Sequence, residues 1–368
     1  MKKTLDTTKR IPFYQQCSSF ISKSIEEGHY AIGEFLPPER ELSEQFGVNR
    51  LTLRKGLAEL IRQGVLESVP GAGNRVVMKQ GKVHNTKLVG CIINRLVGVR
   101  TLSPYYADIF SGIEAGITDM GYNLVFYSVK NADLWAPDGS PLITTQAINT
   151  RFSGVLIIGG LPEELASAYL KKGIRVVCVD HFIGRNRLSC VAPDNRGGAL
   201  EMGRYLVRLG HKRMAFLAAK KDPVVDSRFE GFTQALKEAG CSFHPKDYIN
   251  GGYEIRPAYH AMKNFLAEHR RNPPTAIVSI NDEAAIGAMK ALQEAGLQVP
   301  RDVSVSGFDD ISWSAHSSPP LTTVRIPRDE MGRLAAQMLI SQLESGKTTP
   351  ATTLLNTELV VRESCAPI

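Results

Sequence analysis

The sequence predicts an α/β protein in two parts: a short helical unit with a β-hairpin, followed by a larger body of parallel sheets in two lobes. Three observations support this prediction. The chain has 368 residues, more than one ordinary domain holds. Its first 87 residues contain 14 lysines and arginines against 9 acidic residues, which leaves +5 of the formal net charge of +7 in that quarter. After residue 87, apolar strand-like runs alternate with helix-like runs, as in sheets covered by helices.

The first unit, residues 1–77, begins with two predicted helices. Apolar residues recur at helical spacing from Phe13 to Ile25, and Gly28 is a plausible end for this helix. The run ERELSEQF predicts a second helix, with Pro38 in its first turn and Gly47 at its end. The first unit is therefore predicted to begin with two helices.

A third helix and a hairpin complete this unit. Asn49 is a strong N-cap candidate, and the predicted buried stripe of the helix contains Leu53, Leu57, Leu60 and Ile61. The runs VLESV and NRVVM flank PGAG, whose glycines permit a tight turn. Three helices and a hairpin make a winged helix-turn-helix, and the second helix of that motif enters the major groove of DNA.

The start of the third helix has the chemistry of a DNA contact. Arg50 and Arg54 lie one turn apart on the same flank, with Thr52 as a short donor between them. The excess positive charge of this unit also favours a polyanionic partner. The alternative is that these arginines only solvate a surface, and the surrounding helices and hairpin favour DNA.

The stretch LPPERELSEQFGVNRLTLRKGLAELIRQGVLESVPGAGNRVV resembles the DNA-binding domain of GntR-type regulators over about residues 11–77. The resemblance implies that Arg40 contacts phosphate, that Arg50 reads guanine, and that the wing approaches the minor groove through its glycines. The residues implied to contact DNA are Arg40, Asn49, Arg50, Thr52, Arg54, Gly71, Gly73 and Arg75. Pro38, Asn49, Leu51 and Asn74-Arg75 depart from the family pattern, so the resemblance does not give the bases that these positions read.

Residues 78–87 are polar and unpatterned and predict a linker, and residues 88–368 predict the two-lobed body. Ligands of parallel sheets bind where strands end. Polar side chains follow several predicted strands here, and Asn281 and Asp310 have helix capping as their alternative role. Carboxylates, an amide, a guanidinium and aromatic rings are suited to a polyhydroxyl ligand. These side chains are Tyr105, Tyr106, Asp180, Arg228, Asn281, Asp282, Asp309 and Asp310.

The body resembles the effector domain of LacI-family repressors, which is of the periplasmic-binding-protein-like type I fold. The runs PYYADIFSGIEAGITDMGYNL, SRFEGFTQAL, TAIVSINDEAAIGAMKALQEAGLQVPRDVSVSGFDD and PPLTTVRIP carry the resemblance over about residues 87–364. It implies that an effector, a sugar or polyol, binds between the lobes. His181 departs from relatives that have arginine after the aspartate. The implied effector-binding residues are Tyr105, Asp180, Arg228, Tyr253, Asn281 and Asp309.

The combination of a GntR-type head and a LacI-type body resembles arabinose-type repressors and predicts a cytoplasmic, ligand-responsive transcription regulator. We expect a homodimer on palindromic double-stranded operator DNA. A ligand-responsive activator, or a sugar-binding protein or enzyme on the same body, remain the alternatives. No enzyme motif, metal-ligand spacing, cofactor motif, signal peptide or membrane span is recognisable, and the six cysteines form no CxxC.

Overall fold

The computed structural model describes residues 12–26, 28–62, 65–77, 87–94, 103–129, 152–159, 166–167, 169–170, 173–181, 188–220, 222–269, 273–347 and 349–368. The chain divides into two compact units, Met1–Lys82 and Val83–Ile368. Most of the predicted linker lies outside the described residues, as do residues 130–151 and 160–165 of the predicted body.

The first unit contains three helices and a hairpin, which confirms the winged helix-turn-helix. The elements are α1 (Phe13–Glu26), α2 (Glu39–Phe46), α3 (Arg50–Arg62), β1 (Leu66–Val69) and β2 (Gly73–Val76). The two strands pair antiparallel. Gly71 lies in the turn between them and Gly73 is the first residue of β2; their φ angles of 77° and 104° are ones that glycine adopts readily. The chain before α2 adds a third partner, because the Leu36 N–H donates to the Asn74 carbonyl at 2.9 Å.

The turn before α3 follows the sequence prediction. Gly47 has φ of 63° and ends α2, and the Asn49 side-chain oxygen accepts from the Thr52 N–H at 2.8 Å. Asn49 is therefore the N-cap of α3, as predicted. Pro38 stands before α2 rather than in its first turn, since the helix begins at Glu39.

The buried stripe of α3 is narrower than predicted. Leu53, Leu57 and Leu60 are buried, whereas Ile61 is 36% exposed. A step of one residue turns the side chain by about 100°, which directs Ile61 away from the core that Leu60 faces. Gly56 brings α3 close to α1, because a Cβ there would lie 2.8 Å from the Tyr14 carbonyl oxygen.

The second unit has two parallel sheets, one in each lobe, which confirms the α/β prediction. The amino-terminal lobe contains β3 (Leu88–Asn94), α4 (Pro104–Asp119), β4 (Asn123–Val129), β5 (Gly154–Ile158), β6 (Arg175–Val179) and β7 (Ser189–Pro193). The carboxyl-terminal lobe contains α5 (Asn195–Arg208), β8 (Met214–Ala218), α6 (Pro223–Glu238), β9 (Tyr248–Asn250), α7 (Ile255–Glu268), β10 (Ala276–Ser279), α8 (Asp282–Glu294) and β11 (Ser304–Ser306).

The remaining elements are β12 (Thr323–Arg325), α9 (Arg328–Ser345), β13 (Thr352–Leu355) and β14 (Glu358–Val360). Helix α9 packs on α4 and β13 pairs with β7, so both belong to the amino-terminal lobe, whereas β12 and β14 lie where the chain crosses between the lobes. The larger sheet has the order β13-β7-β6-β5-β3-β4 and the smaller one β11-β10-β8-β9. Strands β12 and β14 pair antiparallel. The described chain therefore passes between the lobes three times, after β7, through β12 and through β14.

The last residues return to the carboxyl-terminal lobe. The Val305 N–H donates to the Ser364 carbonyl at 2.8 Å, and the Ile368 N–H donates to the Leu209 carbonyl at 3.1 Å. His211 is buried and contacts the Ala366 carbonyl through Nε2 at 3.2 Å. Segment 361–368 therefore packs on the carboxyl-terminal lobe, whose strands lie between residues 214 and 306 of the sequence.

Candidate functional site

A cavity of about 400 Å³ lies between the lobes, where strands β6, β8, β10 and β11 end. Its size is that of a site for a small ligand. The structure brings all six predicted effector-binding residues to its wall: Tyr105, Asp180, Arg228, Tyr253, Asn281 and Asp309. Tyr106 and His181, which the sequence analysis also singled out, line it too, and the structure adds four residues that were not assigned to the site: Ser103, Asp222, Glu254 and Glu283.

Arg228, on α6, is fixed on several sides. Its Nε donates to the Asn195 side-chain oxygen at 2.8 Å, and its Nη1 donates to the Ile280 carbonyl. Its guanidinium carbon lies 3.7 Å from the centroid of the Phe308 ring, a cation–π contact. Its Nη2 lies 3.3 Å from Asp309 Oδ1. The arginine is pre-oriented, and its remaining N–H groups are available to a ligand.

Asp309 is a buried acceptor in a strained turn. Its φ is 112°, outside the range that most side chains adopt, and Arg328 holds the turn by donating to the carbonyls of Asp309 and Asp310. Burial raises the pKa of Asp309 to about 8, against the opposing effect of Arg228. Its Oδ1 has no hydrogen-bond partner among the described residues.

Asp180 is the equivalent residue of the other lobe. It follows β6, has φ of 67°, and accepts a hydrogen bond from the Tyr105 hydroxyl at 2.6 Å. Burial raises its pKa to about 6, although the Tyr105 hydrogen bond acts in the opposite direction. Burial also raises the pKa of Tyr105 well above its ordinary value, so its hydroxyl remains a donor.

Asp222 combines two functions. It caps α6 by accepting from the Val224 and Val225 N–H groups at 2.9 Å, and its second oxygen accepts from the Tyr253 hydroxyl at 2.6 Å. Three residues, an alanine and two lysines, separate it from β8 in the sequence, so it was not recognised as lying near a strand end. The Asp-Pro pair at the start of a helix was the signal that could have identified it.

One hydrogen bond joins the two walls of the cleft. The Ser103 hydroxyl, at the N-cap of α4 in the amino-terminal lobe, donates to Glu283 of α8 in the other lobe at 2.7 Å. Asn281 caps α8 by accepting from the Ala284 N–H at 2.9 Å, so its capping role and its place in the pocket are both real.

Two other carboxylates predicted to follow strands have structural partners. Asp282 is fully buried and accepts from the Ser314 hydroxyl at 2.6 Å, the Thr323 hydroxyl and the Ile311 N–H. Asp310 does not cap a helix, which corrects that alternative: it pairs with Arg325 at 2.8 Å and Arg362 at 2.6 Å. Neither lines the cavity.

The cavity has an excess of carboxylates. Among the residues that the structure describes, Asp180, Asp222, Glu254, Glu283 and Asp309 line it, and Arg228 is the one arginine. The other basic residue, His181, has its pKa lowered by burial, which favours the neutral ring. Such a surface accepts hydrogen bonds from hydroxyl groups.

The predicted DNA-contacting arginines of the first unit lie on its surface. Arg40 pairs with Glu44 at 3.2 Å, Arg54 with Glu39 at 2.7 Å, and Arg75 with Glu67 at 2.8 Å. Among the described residues, Arg50 has no carboxylate partner. Thr52 is half-buried in the first turn of α3. The sequence analysis did not detect the three acidic partners.

Other site classes receive no support from the described residues. Within them, no group of three or more histidines, cysteines and carboxylates is arranged to hold a metal ion. None of the helices in the described part of the chain combines the length and apolar character that a membrane span needs.

Comparisons with known proteins agree with both units. Residues 13–76 match the bacterial regulatory proteins of the gntR family, and residues 204–365 match the periplasmic binding protein-like domain. The arabinose metabolism transcriptional repressor of Geobacillus stearothermophilus is 28% identical over 98% of this chain and 99% of its own length. The repressor CytR of Escherichia coli K12 is 30% identical over 71% of this chain and 75% of its own length. A structure of the regulator CelR with cellobiose has a TM-score of 0.69 at 23% identity, covering 89% of this chain and 100% of that one.

Proposed function

Because the chain belongs to the ligand-responsive bacterial transcriptional repressors, with a GntR-type head and a LacI-type body, we propose that it represses from a palindromic operator until a neutral sugar or polyol binds between its lobes. The relatives are repressors rather than activators or enzymes, so those alternatives are not favoured. We place it in the cytoplasm, where bacterial operators are.

The composition of the cavity wall is the observation that carries the effector proposal. The carboxylates provide acceptors for several hydroxyl groups, and Arg228 and Asn281 complete the set. The buried rings of Tyr105 and Tyr106 can cover the apolar face of a sugar. Acidic side chains outnumber basic ones among the described residues of the wall, which favours an uncharged effector over a sugar phosphate or a uronic acid.

Effector binding between the lobes explains how affinity for DNA can change. A ligand that contacts both walls stabilises one separation of the lobes over another. To move the protein from 99% active to 99% inactive, the two states must differ in effector affinity by roughly 10⁴-fold. The Ser103–Glu283 hydrogen bond is one contact between the walls that a change in their separation would break.

A thermal-shift screen tests the effector proposal. Each neutral monosaccharide is compared with its phosphate and its uronic acid, since a ligand at 100 times its Kd stabilises by about 2.7 kcal/mol. We expect a neutral sugar to raise the Tm and to release operator DNA, and Asp309→Ala to bind DNA without response. Equal stabilisation by the matching phosphate would contradict the proposed class.

The DNA-binding residues remain as assigned from the sequence. We propose that α3 enters the major groove, with Arg50 at a base and Arg40, Arg54 and Arg75 at phosphates, while Asn49 and Thr52 fix the start of the helix. Three of these arginines are paired with surface carboxylates. Exposed ion pairs are weak, so these arginines would exchange their carboxylate partners for DNA phosphates. Gly71 and Gly73 keep the wing narrow.

The dimer proposal rests on an apolar edge of the amino-terminal lobe. Strand β4 is one edge of the larger sheet, and Phe126 on it is 44% exposed and packs on Phe110 of α4, with ring centroids 4.7 Å apart. We expect Phe126→Asp to give monomers in analytical ultracentrifugation. Leu354 is 54% exposed on β13, the opposite edge of the same sheet, so Leu354→Asp is the matched control and should remain dimeric.

A further inference from the structure

Leu51 is an apolar side chain that folding does not use. It is 72% exposed, the most exposed of the large hydrophobic side chains in the described part of the chain, whereas Leu53, Leu57 and Leu60 of the same helix are buried. It occupies the second position of α3, directly after Arg50. A helix-turn-helix contacts base edges with this first turn.

The surroundings of Leu51 distinguish it from an ordinary exposed leucine. Arg54 and Lys55 follow it by three and four residues, so both lie beside it on the same exposed flank. An aliphatic side chain thus stands within a basic surface made by Arg50, Arg54 and Lys55. Cations bind phosphates and guanine, whereas leucine carries neither a charge nor a hydrogen-bond donor with which to bind these groups.

The major groove presents one apolar group on its base edges, the C5-methyl of thymine. We propose that Leu51 is a specificity-determining residue that contacts a thymine methyl group in each operator half-site. The inference rests on the proposed docking of α3 in the major groove. Arg50 and Leu51 would then read neighbouring positions, one by hydrogen bonds and the other by apolar contact.

Replacing thymine by deoxyuridine tests this contact, because it removes the methyl group and keeps every hydrogen-bonding group of the base. The probe is a duplex that the full-length protein selects from a random pool. Each thymine is replaced in turn, and binding is measured by fluorescence anisotropy. We expect one thymine per half-site at which the replacement weakens binding about fourfold, equivalent to roughly 0.8 kcal/mol for a buried methyl-sized group.

The variants assign the effect to the side chain. Leu51→Ala should bind the thymine and deoxyuridine duplexes equally at that position, and Leu51→Met should keep part of the preference. Ile61→Ala, which removes an exposed aliphatic group from the other end of the same helix, should keep the wild-type pattern. A preference that survives in Leu51→Ala, or no sensitive thymine, would overturn the inference alone. Failure to select any duplex would overturn the proposed DNA recognition as well.

Discussion

Two arginine–carboxylate pairs show how differently the two units are built. In the DNA-binding head, Arg54 and Glu39 are 2.7 Å apart with side chains 63% and 33% exposed. In the body, Arg228 and Asp309 are 3.3 Å apart with side chains 5% and 8% exposed. The exposed pair has the shorter distance, yet water screens it and little stability depends on it.

The difference reflects what each unit recognises. The head binds DNA, a polyanion whose phosphates are themselves charged. Its arginines can therefore remain exposed to water, paired with carboxylates, until phosphates take the place of those carboxylates. The body encloses a small ligand, so its polar groups are desolvated and held in advance by neighbours. In the head, the arginines that bind DNA are therefore not needed for the stability of the fold. In the body, the residues that bind the ligand also stabilise the fold.

The largest expected effect tests whether a ligand-binding residue of the body also determines its stability. Arg228→Ala leaves the buried Asn195 side-chain oxygen and the Ile280 carbonyl without their donor, and should destabilise the body by about 2 to 6 kcal/mol, since each unsatisfied buried group costs about 1 to 3 kcal/mol. Urea denaturation measures this loss. Arg256 is exposed on α7, so Arg256→Ala is the control and should stay within about 0.5 kcal/mol of wild type. An Arg228→Ala protein as stable as wild type would show that the pocket is not held together as described.

The same substitution type in the head should separate the two properties. Arg50→Ala should weaken binding to the selected duplex by about 1 to 3 kcal/mol, the contribution of a bidentate base contact. Its urea midpoint and its sugar-induced Tm shift should match wild type, because Arg50 is exposed and touches no described carboxylate. Loss of the sugar response in this variant would contradict the independence of the two sites.

A third test uses pH. The folded body holds a proton on Asp309 up to about pH 8, whereas the unfolded chain releases it near pH 4. Stability from this group is therefore present below that window and is lost as pH rises through it, by at most about 1.4 kcal/mol per pH unit. Asp309→Asn cannot titrate.

The wild-type protein should thus lose stability relative to Asp309→Asn between pH 5 and pH 8, as measured by urea unfolding at each pH. A constant difference between the two proteins across this range would mean that Asp309 is ionised throughout.

The smallest effect is expected at the exposed pair. Glu39→Gln should change the stability of the head by less than about 1 kcal/mol. It should strengthen DNA binding slightly at low salt, because a negative charge beside Arg54 is removed, and the gain should fade as salt is raised. A large loss of stability would mean that this surface pair is structural after all.

The sequence predicted elements whose signals are local. Asn49 and Gly47 mark a cap and a turn through their own chemistry, and alternating apolar runs indicated the parallel sheets. Asp180, Asn281 and Asp309 were found because parallel strands place their ends together, whereas Tyr253 was assigned only from the resemblance to LacI-family repressors. What was missed depends on distance in the sequence: the partners Ser103 and Glu283 are 180 residues apart, and no local pattern shows that they meet.

Other differences have the same origin. The burial of Asp282 depends on Ser314 and Thr323, which reach it only after the chain folds back, so its sequence position next to Asn281 suggested a ligand role that it does not have. Strands β12 and β14 are three residues each, too short for a periodic signal to form.

The return of segment 361–368 to the carboxyl-terminal lobe has a consequence for how the protein is made. Synthesis of the head ends at residue 77, and the 291 residues that follow, up to and including Ile368, take about 15 to 60 s at ordinary elongation rates. Throughout that interval a nascent chain can carry a folded head, while the lobe that receives Ser364 and Ile368 still lacks them. A polypeptide interrupted late in translation would therefore retain the first unit without a completed effector lobe, and such fragments would compete for the operator without responding to sugar.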